Sequence, residues 1–139
     1  MAGMTTLIRV QKWKLDEKRR VVSDMENLLA SFFFQLEKLN TEQVREQEIA
    51  TKDMDVGFLY ASYAEAAKIR RTNLLTSISD TEKRIEAQRE EMAEVFQELK
   101  KYEISEETRL RRLKEAEDKR QQEEMDGFSI EMHRRKTRS

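Results

Sequence analysis

Apolar residues in the first third of the chain recur at alternating spacings of three and four, the heptad pattern of a coiled coil. One set of seven-residue steps carries Ile8, Leu15, Val22, Leu29, Leu36, Gln43 and Ala50. The set three residues further on carries Gln11, Lys18, Met25, Phe32, Leu39, Glu46 and Asp53. The apolar stripe is strongest from Val22 to Leu39. The pattern predicts a first helix over about 6–52.

A second heptad pattern occupies the rest of the chain. One set of steps carries Ile78, Ile85, Met92, Leu99, Glu106 and Leu113. The other carries Leu74, Thr81, Gln88, Val95, Tyr102 and Arg109. These sets predict a second helix over about 59–126, with Gly127 as its stop. The basic residues that follow, in 127–139, are expected to form a frayed tail.

The credible break between the two helices is the segment 53–58, which holds Gly57 and two aspartates. Aspartate side chains favour local turns, and glycine permits left-handed dihedrals. A short break between long heptad helices predicts an all-α fold, an antiparallel two-helix coiled-coil hairpin that forms a long rod as a single domain over 1–139. Folding at the break pairs position i with about 111 minus i. The second helix is then the longer one and should project beyond the first, starting near Glu106 and Arg109.

Composition supports long helices and excludes most other classes of protein. The chain has 139 residues, of which 40% are charged and 37% hydrophobic, with no Pro, no Cys and three Gly. Compact β or α/β domains need turn residues far more often than this. The absence of Cys excludes disulfides, thiolate zinc sites and cysteine nucleophiles. No window has the length of a signal peptide's apolar region or of a membrane span, so a soluble cytoplasmic protein is expected.

The sequence offers no support for catalysis. His133 is the only histidine, no glycine-rich loop is present to hold phosphate, and no metal-ligand spacing is found. We therefore predict a protein that is not an enzyme and that takes no cofactor, metal or small-molecule substrate.

Basic residues cluster near the N-terminus, with only Asp16 and Glu17 among them. The cluster comprises Arg9, Lys12, Lys14, Lys18, Arg19 and Arg20, and the hairpin model brings it to the same end as the tail residues Arg134, Arg135, Lys136 and Arg138. This pattern fits docking to an acidic protein surface, and it also fits an ordinary solvated helix face. Nucleic acid is a weaker alternative, because no base-reading module is present and the net charge is −1.

Two groups of residues are open to a functional or a structural interpretation. Three consecutive rings, Phe32, Phe33 and Phe34, fan around a helix, so they form either an exposed handle or a seam contact with Phe34 half-covered. After the break, one stripe of the second helix includes small side chains that would let another helix approach closely. It either binds a partner or packs on the first helix. It consists of Tyr60, Tyr63, Ala64, Ala67 and Leu74.

Three stretches of the chain, in order, resemble the FliJ family of flagellar type III export proteins in its alphaproteobacterial form. They are LIRVQKWKLDEKRRVV at 7–22, FLYASYAEAAKIRRTNLLTSI at 58–78, and MDGF at 125–128 followed by the basic tail. The resemblance implies an antiparallel coiled coil similar to the central stalk of rotary ATPases.

The resemblance also implies partners. Proteins of this family insert an end of the rod into the hexameric flagellar export ATPase, contact the cytoplasmic linker of the export gate, and escort export chaperones. Carried onto this chain, the gate surface falls on Tyr63, Ala67, Arg70 and Leu74, although Ala67 and Arg70 depart from the family pattern. The basic residues Arg9, Lys12, Arg19 and Arg20 are then the candidate ATPase contacts. A generic coiled-coil scaffold or chaperone without an ATPase partner is the alternative.

Overall fold

The computed structural model describes residues 2–52 and 54–138, and the side chains within 3–52 and 59–138. Helix α1 spans Ala2–Lys52 and helix α2 spans Met54–Arg138. The two helices pack against each other, so the protein is an all-α helical hairpin, as the heptad pattern predicts. By its contacts the chain divides into two units, Trp13–Val95 and Met1–Lys12 with Phe96–Ser139. We call them the hairpin unit and the terminal unit.

The seam of the hairpin unit follows the predicted heptad positions. Its buried residues are Leu15, Val22, Leu39, Ala67, Leu74, Ile78, Thr81 and Ile85. Leu39, Ala67 and Leu74 form one cluster, against which Phe32, Leu36 and Tyr63 pack. Each leucine buried in this way contributes about 2 kcal/mol of hydrophobic stabilisation. No described large side chain is completely enclosed, as expected of a two-helix seam with solvent on both sides.

Polar contacts across the seam show that the helices are antiparallel. Lys18 Nζ donates to Glu91 Oε2 at 2.5 Å and to Gln88 Oε1 at 3.2 Å. Arg89 Nη2 donates to Glu26 Oε1 at 2.7 Å. The predicted pairing places residue 93 opposite Lys18 and residue 85 opposite Glu26. Glu91 and Arg89 lie within about one helical turn of these positions, and Gln88 lies five residues from position 93.

The terminal unit contains one short paired stretch and one long unpaired stretch. Gln11 and Leu99 are buried, and Glu106 and Arg109 are half-buried. From residue 110 to residue 138 every side chain is exposed, and Leu113 retains 55% of its accessible surface. This finding agrees with the predicted overhang of the second helix, which begins where Glu106 and Arg109 occupy heptad positions. Leu113, the last residue of the predicted heptad set, lies within this overhang.

The helix boundaries differ from the predicted ones at both ends of α2. Residues 54–58 belong to α2, so the expected turn over 53–58 is wrong there, while Asp53 lies outside the described residues. Gly127 does not end the helix, which continues to Arg138, so the expected frayed tail is wrong for 127–138. A glycine permits left-handed dihedrals without requiring them, and within a helix it costs only about 1 kcal/mol relative to alanine.

Favourable interactions with the helix terminus explain why α2 continues beyond Gly127. Arg135, Lys136 and Arg138 lie in the last turn, where positive charge stabilises the negative end of the helix dipole. Arg135 Nε also lies 3.7 Å from Glu131 Oε1, one turn earlier.

Candidate partner-binding surfaces

The candidate ATPase contacts divide between the two units, and each group is exposed. In the terminal unit, Arg9 and Lys12 lie one turn apart on α1. Neither makes an ion pair within the described part of the chain. In the hairpin unit, Arg19 Nη1 lies 3.5 Å from Asp16 Oδ1, and Arg20 Nη2 lies 2.7 Å from Glu17 Oε2.

Local ion pairs therefore neutralise part of the charge of Arg19 and Arg20. Pairs of this kind between exposed residues three apart contribute only about 0.3–0.5 kcal/mol, so an acidic partner can replace either carboxylate at low cost. Lys18, which belongs to the same basic cluster in the sequence, is instead committed to Glu91 and Gln88 across the seam. It links the two helices.

The candidate gate surface is partly buried in the hairpin. Ala67 and Leu74 pack with Leu39 in the seam and are not accessible, so placing them on a partner-binding surface is wrong for this structure. The reason is the heptad itself, because positions 67 and 74 are seven residues apart and share the face that meets α1. The packing interpretation of this stripe is confirmed for these two residues. Arg70 is exposed and Tyr63 is half-buried.

Tyr63 has an unusual environment for a tyrosine. Its hydroxyl oxygen is buried and has no hydrogen-bond partner among the residues that the structure describes. Burial raises the pKa of the Tyr63 phenol, and the carboxylates of Glu42 and Glu46 raise it further, while Arg70 acts in the opposite direction. Its ring centroid lies 6.4 Å from that of Tyr60 at a tilt of 34°. An unpaired hydroxyl at this depth costs stability, which the hairpin must offset elsewhere.

Arg71 is a cross-helix contact that the sequence analysis missed. Its Nε and Nη2 donate to Asn40 Oδ1 at 3.2 and 2.6 Å, and Nη2 also donates to Gln43 Oε1. One guanidinium thus bridges two amides of α1. The signal was present in the sequence, because the predicted pairing places residue 71 opposite Asn40. These contacts join α1 and α2 directly beside Arg70 of the candidate gate surface.

The aromatic residues of α1 do not all enter the seam. Phe32 packs against the core cluster, whereas Phe33 is exposed and Phe34 retains 68% of its accessible surface. Phe34 borders a shallow groove along α1, lined also by Glu37, Lys38, Thr41, Glu42 and Arg45. The seam interpretation is thus correct for Phe32 and wrong for Phe33. Phe34 is more exposed than the half-covered position that was expected.

A second apolar surface, also missed by the sequence analysis, lies near the end of α2. Met125 and Phe128 border a shallow concavity with Gln121, Glu124 and Ser129 on one face of the helix. The spacing 121, 125, 128, 132 is again a heptad pattern, but it is shifted by two residues from the register that ends at Leu113. Met125 and Phe128 do not fall on the heptad positions extended from Leu113, so that register did not predict this surface.

Among the described residues no cluster of three or more His, Asp or Glu side chains is arranged to hold a metal ion. Within the same residues, neither helix contains a stretch long and apolar enough to cross a membrane. Comparison with protein-family models, with curated proteins and with solved structures found no match.

Proposed function

We propose that the protein is a non-enzymatic component of the bacterial flagellar export apparatus. In this proposal it is a stalk-like coiled coil that links the export ATPase ring to the export gate and to export chaperones. The observation that carries the proposal is the ordered resemblance of three sequence stretches to the FliJ family. The proposal assigns the protein to the cytoplasm, at the cytoplasmic face of the inner membrane near the flagellar base.

The helical hairpin supports this function by its physical character. Its seam is apolar, but its outer faces carry exposed charges, some of them in local ion pairs. Such faces favour reversible contacts over permanent burial, because little apolar area is available at each contact. A stalk that touches the subunits of a ring in turn requires contacts of this kind. The protein would then transmit force or position and would perform no chemistry itself.

The ATPase contact is tested by reversing charge at the basic surface of the hairpin unit. Arg19→Glu with Arg20→Glu should weaken binding to the purified export ATPase by about tenfold, because the attraction to an acidic surface becomes repulsion. The matched control is Lys83→Glu with Arg84→Glu, another exposed basic pair in the same unit. Circular dichroism should show unchanged helicity for both variants. Equal binding by the two double variants would contradict this assignment.

Arg9 and Lys12 in the terminal unit are tested separately. Arg9→Glu with Lys12→Glu should also weaken ATPase binding, and raising the salt concentration should weaken the wild-type contact in the same direction. If the export ATPase does not bind the wild-type protein at low salt, the proposed function is wrong.

Ala67 and Leu74 are buried, so the gate contact is tested at Arg70, the exposed residue of the candidate gate surface. Arg70→Glu should weaken binding to the cytoplasmic linker of the gate protein and leave ATPase binding unchanged. Lys68→Glu is the control, because Lys68 is also exposed and lies two residues away on another face of α2. Loss of both contacts in the Arg70 variant would show that the surfaces are not separate.

A further inference from the structure

The exposed end of α2 carries an unpartnered apolar face with a distinct charge order, and this order points to a second copy of the same chain. Met125 and Phe128 retain 65% and 68% of their accessible surface, and Met132 is also exposed. They lie three and four residues apart, so they share one face of the helix. We propose that residues 114–138 of two copies associate as an antiparallel coiled coil. This proposal does not depend on the proposed function.

The heptad positions of this segment determine the pairing. Asp118, Met125 and Met132 occupy the first core position, and Gln121, Phe128 and Arg135 occupy the second. In an antiparallel pair, first positions of one helix lie in layers with second positions of the other. A single alignment then places Met125 against Phe128 of the second copy and Met132 against Gln121. The two apolar layers lie at the centre, on either side of the two-fold axis.

The same alignment places opposite charges at the outer layers. Asp118 of one copy meets Arg135 of the other, and the symmetry repeats this pair at the far end. Beside these layers Glu117 faces Arg138 of the second copy. The reverse orientation, with parallel helices, would place Asp118 against Asp118 and Arg135 against Arg135. Like charges in opposing core positions are unfavourable, so the charge order selects the antiparallel arrangement.

One pair of flanking residues opposes the association. The alignment brings Glu124 of one copy near Glu131 of the other. Each already has a basic neighbour on its own helix, since Arg120 Nη1 lies 3.8 Å from Glu124 Oε1 and Arg135 Nε lies 3.7 Å from Glu131 Oε1. These cations reduce the repulsion. The expected interface is small, and we expect a weak dimer with a Kd of about 10–100 μM.

Sedimentation equilibrium of the full chain over a wide concentration range tests the association. The wild type should pass from monomer to dimer in the expected range. Phe128→Asp should weaken the dimer by at least about 30-fold, because it places a charge in the central layer. The matched control is Ile130→Asp, since Ile130 is exposed on the opposite face of the same turn and should leave the dimer within about twofold. A wild type that stays monomeric up to about 1 mM overturns the proposal.

Charge exchange tests the orientation. Asp118→Lys and Arg135→Glu should each abolish self-association, because each places like charges in a core layer. The double variant, Asp118→Lys with Arg135→Glu, should associate again, because the exchanged charges attract. In a parallel dimer all three variants would keep like charges opposite each other in these layers, as the wild type does, so the single variants would associate about as well as the wild type. Failure of the double variant to recover overturns the antiparallel arrangement.

Cysteine cross-linking gives an independent readout, which is simple because the chain has no Cys. Gln121→Cys mixed with Met132→Cys should form a disulfide between the two variants under mild oxidation. Each variant alone should remain largely monomeric on a non-reducing gel. Efficient disulfide formation by the Gln121 variant alone would indicate parallel helices and contradict the alignment.

Discussion

The hairpin unit and the exposed stretch 110–138 are both long α-helix, but they are stabilised in different ways. The hairpin unit buries a leucine-rich seam, in which Leu39 retains only 3% of its accessible surface. The exposed stretch buries none of its side chains and depends on ion pairs within one turn, such as that between Arg120 and Glu117 at 2.6 Å. A heptad pattern therefore indicates where a helix can pair, and the opposing helix decides whether it does. The following experiments test this difference, from the largest expected effect to the smallest.

Leu39→Asp and Leu113→Asp make the same change in the two regions. Leu39→Asp should lower the free energy of unfolding by about 3–5 kcal/mol, because it buries an unpaired charge in the tightest part of the seam. Leu113→Asp should lower it by less than about 1 kcal/mol, because the side chain remains in water. Urea unfolding followed by circular dichroism measures both. Similar losses for the two variants would contradict the contrast between the regions.

Tyr63→Phe removes the unpaired hydroxyl from the hairpin unit. It should raise the free energy of unfolding by about 1 kcal/mol at pH 7, because the buried oxygen has no partner to lose. Tyr102→Phe is the matched variant in the terminal unit, and it should not stabilise, since a hydrogen bond to Glu98 raises the pKa of that phenol and would be lost. A destabilised Tyr63→Phe variant would show that the hydroxyl is satisfied after all.

The pKa of Tyr63 gives the same site a pH dependence. Burial raises this pKa in the folded protein, so the folded state keeps the phenol proton at pH values where the unfolded chain has lost it. The contribution of this raised pKa to the free energy of unfolding is fully present below pH 10. It is lost as the pH rises through the pKa of Tyr63 in the folded protein. Wild-type stability should therefore fall relative to Tyr63→Phe above pH 10. Urea midpoints of the two proteins at pH 7 and pH 11 provide the measurement.

Gly127→Ala tests the exposed stretch, where no tertiary packing decides the outcome. A Cβ at this position meets nothing within 4 Å, so the helix should gain about 0.5–1 kcal/mol of local stability. Amide hydrogen exchange around residue 127 should slow accordingly. Ala116→Gly, a reverse change in the same exposed stretch, should speed exchange around residue 116. Unfolding of the hairpin unit should be unchanged in both variants.

The smallest effect is expected just before the exposed stretch, at the half-buried residues Glu106 and Arg109. Arg109 donates to Glu106 at 2.6 and 3.1 Å and lowers the pKa of that carboxyl. The ion pair therefore favours the helix above the ordinary glutamate pKa of about 4.5 and loses this contribution as the pH falls through the lowered value. NMR titration of the Glu106 carboxyl should give a pKa below the ordinary glutamate value. Arg109→Gln should return it towards the ordinary value.

The sequence was sufficient to predict the fold class, because a heptad pattern with one break leaves few alternatives. The alternation from Leu15 to Leu39 and from Leu74 to Leu99 corresponds to buried or half-buried positions in the structure. The helix ends were harder to predict, because a glycine such as Gly127 only lowers helix propensity. Where a helix ends also depends on the charges near its terminus and on the length of helix already formed.

The candidate surfaces were predicted less well than the fold. Ala67 and Leu74 share a heptad face with the seam, but a resemblance locates residues along the chain and does not say which face they occupy. Phe33 and Phe34 showed the opposite problem, because their hydrophobicity suggested burial while their positions in the heptad pointed away from α2. Met125 and Phe128 were overlooked because the heptad shifts register after Leu113. Surfaces of this kind require three-dimensional placement of each side chain.

The order of the cross-helix contacts has a consequence for how the hairpin unit folds. The contact between Arg71 and Gln43 spans 28 residues of chain, whereas that between Lys18 and Glu91 spans 73. Forming the contact between Lys18 and Glu91 first would cost only about 0.9 kcal/mol more in chain entropy than forming that between Arg71 and Gln43. Once the contact with the shorter loop has formed, however, each further contact outwards closes only a few additional residues of chain. The hairpin should thus form as a zipper from the reversal outwards, and the residues nearest the reversal should set its folding rate.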